Sequence, residues 1–230
     1  MEVKLLKIYF EDNFKRKHKG QNKSIICSLV ESVAANETQH SSILCNLSEV
    51  FDGLENAILK MSEKENIKIQ YTNFFFWLYL IVENLNTILD VVGMPKELRK
   101  SKFPVFYTIK NWANFIKHPK AFLFTHHTEV TEEKNVSKLE LLIKLDRGLL
   151  IDQQFVNKYY AGKKNDSNLF DEISNKKKVF VSFPDCLTLL KEFSTSIAEF
   201  IKIMSENPIY IETLTDRSII ENYFNLPSDE

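Results

Sequence analysis

Apolar residues recur along this chain at helical rather than strand spacing. From Ser48 to Leu59, Val50, Phe51, Leu54, Ile58 and Leu59 gather on one side of a helical wheel, while Glu49, Asp52 and Glu55 fall outside it. The wider segments 24–35 and 41–64 carry the same periodicity. Residues 70–92 predict a second long helix, apolar around its girth and closed by Gly93 and Pro95. A helix of that kind is either central to a core or part of a dimer face. Residues 96–101 read as a polar connection. From Phe103 to His118, Val105, Ile109, Trp112 and Ile116 form a narrow apolar stripe, and Pro119 ends the helix there. Pro184-Asp185 opens a further helix over 185–205, with Leu189, Leu190, Phe193, Ile197, Phe200, Ile201 and Met204 inward. Asn207-Pro208 ends it, and a short helix near 214–225 follows.

Three segments depart from that period. Ala121-Phe122-Leu123-Phe124 and the run 139–145 are strand-like, although both also fit short helices, and 177–183 alternates as a half-buried strand does. Residues 1–20 fit either a short strand or a basic amphipathic helix. The expected architecture is mainly α: one domain over 1–230, with core helices over about 24–118 and 185–225 and an irregular, β-containing insertion over about 121–183.

Composition narrows the class. The 18 Phe among 230 residues supply a sizeable core, while 5 Gly and 6 Pro are too few for a turn-rich all-β fold. The net charge of −1 excludes a globally basic nucleic-acid binder, so any RNA contact must use local patches. Candidates are 15–19, Arg99-Lys100-Ser101-Lys102 and Lys176-Lys177-Lys178, each of which also reads as a solvated surface run. Of 30 basic residues only Arg16, Arg99, Arg147 and Arg217 are arginine, which with the abundant Asn, Ile and Phe resembles low-GC bacterial coding. Cys27, Cys45 and Cys186 are isolated and odd in number, so neither a disulfide framework nor a zinc knuckle is indicated. The N-terminus has no signal-peptide pattern, and the apolar run Phe74 to Val82 is too short to span a bilayer. A cytoplasmic soluble protein is expected, with no membrane partner.

Candidate chemistry lies on the helix ending at Pro119. Opposite its apolar stripe stand Lys110, Asn111, Asn114, Lys117 and His118, with Lys120 just beyond. Asn114 and His118 are four apart and therefore neighbours. No carboxylate stands among them, so the face suits an anion, phosphate above all. A His near a helix C-terminus is also favoured by the macrodipole alone. His126-His127 lack an Asp or Cys at ligand spacing, so neither metal nor cofactor is expected.

Asn114-Phe115-Ile116-Lys117-His118 resembles the Asn-x-x-x-His part of the signature of the HEPN superfamily, helical domains that are often metal-independent ribonucleases. In that signature an Arg precedes the Asn; here the position is Ala113. The resemblance covers about six residues and their helical context. It implies a bundle of four or five helices and a homodimer pairing two motif helices. It also implies an endoribonuclease leaving 2′,3′-cyclic phosphate ends, acting as a toxin or anti-phage effector. His118 would be acid or base, Asn114 would orient the phosphate, and Lys110, Lys117 and Lys120 would add positive potential. RNA, tRNA included, would be the substrate, and a nucleotidyltransferase-like antitoxin or other regulatory subunit the partner.

Ala113 reads either as natural loss of the Arg or as an introduced change that disarms a toxic nuclease; the chain as it stands is expected to be weak or inert as a nuclease. The competing readings are a non-catalytic helical interaction module or antitoxin-like scaffold, and a nucleotide-binding domain using Lys110, Lys117 and His118.

Overall fold

In the computed structural model, residues 2–14, 45–61, 67–117, 148–152, 171–172, 178–182, 184–216, 218–219 and 222–223 are described. These residues are mainly α-helical. They fall into two compact units, one formed by Met1–Lys110 with Cys186–Glu230 and the other by Asn111–Asp185.

The first unit begins with α1, Glu2–Phe14. The ambiguous N-terminus is thus helical there, because Leu6, Phe10 and Phe14 recur every four residues and are all buried. Next come α2, Cys45–Lys60, and α3, Ile67–Val91. Within α2 the stripe of Phe51, Leu54 and Ile58 is buried as expected, but Leu59 is exposed and Val50 half-buried. The buried arc instead turns toward Leu47, Gly53 and Ala57.

Gly53 sets how closely α2 approaches α3. A Cβ there would lie 2.5 Å from the Trp77 indole, far inside van der Waals contact. By length and composition alone the longer Ile69–Val91 stretch of α3 could cross a membrane, as the core helix of a soluble protein also could. Yet 44% of its most apolar window is buried inside the fold, with Phe74, Phe75, Leu78, Ile81, Val82 and Leu85 in the core.

α3 stops at a helix-ending motif written in its sequence. Gly93 takes φ +67°, Gly93 N–H donates to Asp90 O at 3.0 Å and Met94 N–H to Leu89 O at 2.9 Å, and Met94 is buried beneath the turn. The stretch expected to be a polar connection is then a helix, α4, Lys96–Lys102. It buries no residue, so no apolar periodicity announces it. Phe103 breaks the chain, and Pro104, which has no N–H to leave unsatisfied, starts α5, Pro104–Lys117.

The C-terminal part of this unit holds α6, Cys186–Glu206, and α7, Pro208–Thr215. All the residues expected inward on α6 are buried except Ile201, which is half-buried. Asn207 caps α7 by accepting from the Ile209 and Tyr210 N–H groups. α7 precedes the short helix expected near 214–225, within which the described residues 218–219 and 222–223 are helical.

Phenyl rings knit this core together. Phe14 lies 5.2 Å from Phe10, 5.7 Å from Phe51 and 6.2 Å from Phe193. Phe193 in turn meets Phe106 at 6.0 Å, and Phe103 meets both Phe106 and Phe200. Such pairs add about 0.5–1.5 kcal/mol each beyond the area they bury.

In the second unit, Trp112 and Phe115 of α5 are buried and meet edge to face at 6.0 Å. Three short strands, β1 (Gly148–Asp152), β2 (Asp171–Glu172) and β3 (Lys178–Ser182), pair antiparallel in the order β1-β3-β2, with Leu150 opposite Phe180. The strand-like segments 121–124 and 139–145 lie outside the described residues, as do 24–35 and the basic run 15–19.

Candidate functional site

α5 carries the candidate chemistry, and its period divides the residues cleanly. Val105, Phe106, Ile109, Trp112, Ala113, Phe115 and Ile116 are buried. Tyr107, Thr108 and Lys110 are exposed, and Asn111 and Asn114 are half-buried. The core thus claims the apolar stripe and leaves a polar face along which Tyr107, Lys110 and Asn114 follow one another at intervals of three and four residues. Asn114 has no hydrogen-bond partner among the described residues.

Ala113 lies on the buried side and is only 6% exposed. A long side chain at that position would have to leave the packed stripe before its head reached solvent. Lys117 closes α5, and its side chain, together with His118 and Lys120, lies outside the described residues, as do His126 and His127.

The expectation of a face without carboxylates does not survive the tertiary structure. Glu83 of α3, 27 positions earlier in the chain, sits with its Oε1 at 3.4 Å from Lys110 Nζ. Lys110 is therefore partly neutralised by a neighbouring helix. Both side chains are well over a third exposed, so the pair adds little stability. Its effect is on potential: a phosphate approaching Lys110 also meets Glu83.

The basic run 99–102 has its own destinations. Arg99 turns back onto the end of α3. Its Nε donates to Met94 O at 2.6 Å, one terminal nitrogen donates to Leu89 O at 3.2 Å, and the other pairs with the Asp90 carboxylate. Its side chain is 12% exposed. A cation suits a helix C-terminus, and only the guanidinium fork reaches three acceptors there. Lys102 pairs with Glu199 of α6 at 3.2 Å. Neither is a free phosphate ligand. Tyr223 joins the same corner, its phenol donating to Asp90; burial first, and then the Asp90 charge, push its pKa above the usual tyrosine value.

Between α3, α4 and α5 runs an open groove of about 320 Å³. Glu83, Asn86 and Asp90 line one wall, Lys96 and Arg99 the end, and Phe106, Tyr107 and Lys110 the other wall. Asn86, Lys96 and Tyr107 have no hydrogen-bond or ion-pair partner among the described residues. Sequence reading missed this groove, because its walls come from three elements. The exposed Tyr107, on the polar face of an otherwise legible helix, was the available signal. Among the described residues no group of three or more His, Cys, Asp or Glu stands together as a metal site would require.

Comparisons with protein-family models, with curated proteins and with solved structures found no match to this chain.

Proposed function

We propose that this chain is a HEPN-like, RNA-directed helical domain of the toxin or anti-phage type, built for metal-independent endoribonuclease chemistry and inert in cleavage as it stands. The supporting observation is the division of α5: core packing uses the aliphatic, Phe and Trp residues of the helix and leaves Asn114, four positions before His118 in the sequence, half-buried and without a partner among the described residues. In the reaction, the 2′-oxygen of RNA forms a bond to the adjacent phosphorus as the bond to the 5′-oxygen breaks. The 2′-hydroxyl proton passes to a base and a proton is returned to the leaving oxygen, giving a 2′,3′-cyclic phosphate and a 5′-hydroxyl. His118 suits this work because imidazole titrates near neutrality. Asn114 orients the phosphate, Lys117 and Lys120 supply positive potential, and Lys110 supplies less because Glu83 faces it. Ala113 cannot clamp the phosphate, and loss of such a donor costs about 10²–10³ in rate. A second copy of the chain is the expected partner, and a nucleotidyltransferase-like antitoxin or other regulatory subunit is the expected control.

A second reading, the non-catalytic helical interaction module or scaffold, draws support from the burial of Ala113 in the α5 stripe. Cleavage of total tRNA and structured RNA in EDTA separates the two, comparing the chain itself, Ala113→Arg, and Ala113→Arg with His118→Ala. The nuclease reading expects activity in the second form alone. Equal inactivity of all three, with Ala113→Arg folded by circular dichroism and harmless in cells, rejects it and leaves the module.

A further inference from the structure

We infer that the groove between α3, α4 and α5 takes one nucleotide of a single-stranded RNA, with the base on Tyr107, its edge against Asn86 and its phosphodiester at Lys96. The inference rests on the RNA-directed reading and gives its substrate a form, an unpaired strand. Charge selects the ligand. Of the five ionic groups on the groove, Glu83 faces Lys110 and Asp90 pairs with Arg99, so Lys96 is the one cation left over. One surplus positive charge matches a phosphodiester, which carries one negative charge, better than a terminal phosphate or a triphosphate. Shape and surface agree. A space of about 320 Å³ is at the small end for an organic ligand and suits a single nucleoside. Tyr107 is 38% exposed, while Phe106 beside it is buried against Phe103 and Phe193, so the tyrosine is carried on anchored backbone. An aromatic face presented in this way stacks a base of any identity. The Asn86 carboxamide offers a donor and an acceptor side by side, the pattern that reads a base edge. A base held so cannot be paired or stacked within a duplex, which restricts the ligand to single strands.

The test reads binding by the chain as it stands and needs no cleavage. A labelled single-stranded RNA of about ten nucleotides is titrated in EDTA at low salt and followed by fluorescence anisotropy. The expected result is saturable binding. Tyr107→Ala should weaken it about 5- to 150-fold, and Tyr107→Phe should leave it nearly unchanged. Lys96→Ala should reduce the slope of log affinity against log salt by about 0.7. Unlabelled duplex RNA and ATP should compete poorly. Absence of binding overturns the inference, and so does equal binding by Tyr107→Ala with its melting temperature intact. Stronger competition by ATP than by the strand overturns it in favour of a free-nucleotide site. If binding follows Tyr107 while Ala113→Arg never cleaves, the groove stands and the nuclease reading falls; if Ala113→Arg cleaves while Tyr107→Ala binds normally, the reverse holds.

Discussion

The corner where α3 meets α4 and the C-terminal half of α5 both carry residues that resemble a phosphate site, and they use them in opposite ways. At the corner, Gly93, Met94, Asp90, Leu89, Arg99 and Tyr223 bind one another, so a retained arginine is consumed in holding two helices together. In α5 from Asn111 to Lys117 the situation is reversed. Position 113, where the HEPN-like signature calls for arginine, is a small residue packed in the stripe, and Asn114 beside it is left without a partner among the described residues. The contrast teaches that an arginine is diagnostic of anion binding only once its acceptors are known. The carbonyl oxygens at a helix end compete for it as effectively as a phosphate does.

Substitutions sharpen the contrast. Arg99→Ala should have the largest effect, about 2–3 kcal/mol, because it leaves Asp90 and the last carbonyls of α3 without their charged donor. Chemical denaturation measures this, and Arg99→Lys should recover less than half, since an ammonium cannot span three acceptors. Ala113→Arg comes next, at about 1–3 kcal/mol of overpacking. Asn114→Ala on the neighbouring face should stay within about 0.5 kcal/mol. If Ala113→Arg proves neutral by the same denaturation measurement, the stripe has room for the signature arginine and the two regions are less different than their burial indicates. Lys110→Ala should be small too, about 0.2–0.5 kcal/mol and fading with added salt, as expected of an exposed pair with Glu83.

What was legible in the sequence follows from where each signal resides. The apolar stripes of α5 and α6 repeat within a single helix, so Trp112, Ile116, Phe193 and Phe200 could be placed inward from spacing alone. α4 could not be found that way, because it buries nothing and is defined by Pro95 before it and Phe103 after it. Leu59 shares the apolar side of the α2 wheel, but it lies at the edge of that arc and the packed helix leaves it exposed. The candidate site was half legible. The polar face of α5 is local, whereas Glu83 opposite Lys110 and Asp90 beneath Arg99 come from another helix and are visible only in three dimensions.

The contact between Gly53 and the Trp77 indole has an optical consequence. The chain has two tryptophans, Trp77 in the unit of Met1–Lys110 with Cys186–Glu230 and Trp112 in the unit of Asn111–Asp185. Trp77 lies against a bare backbone position of α2 and edge to face with Phe76, whereas Trp112 is enclosed beside Phe115. Each unit thus carries one built-in fluorophore in a distinct environment. Replacing either indole with phenylalanine leaves a single emitter, whose spectrum follows the melting of its own unit.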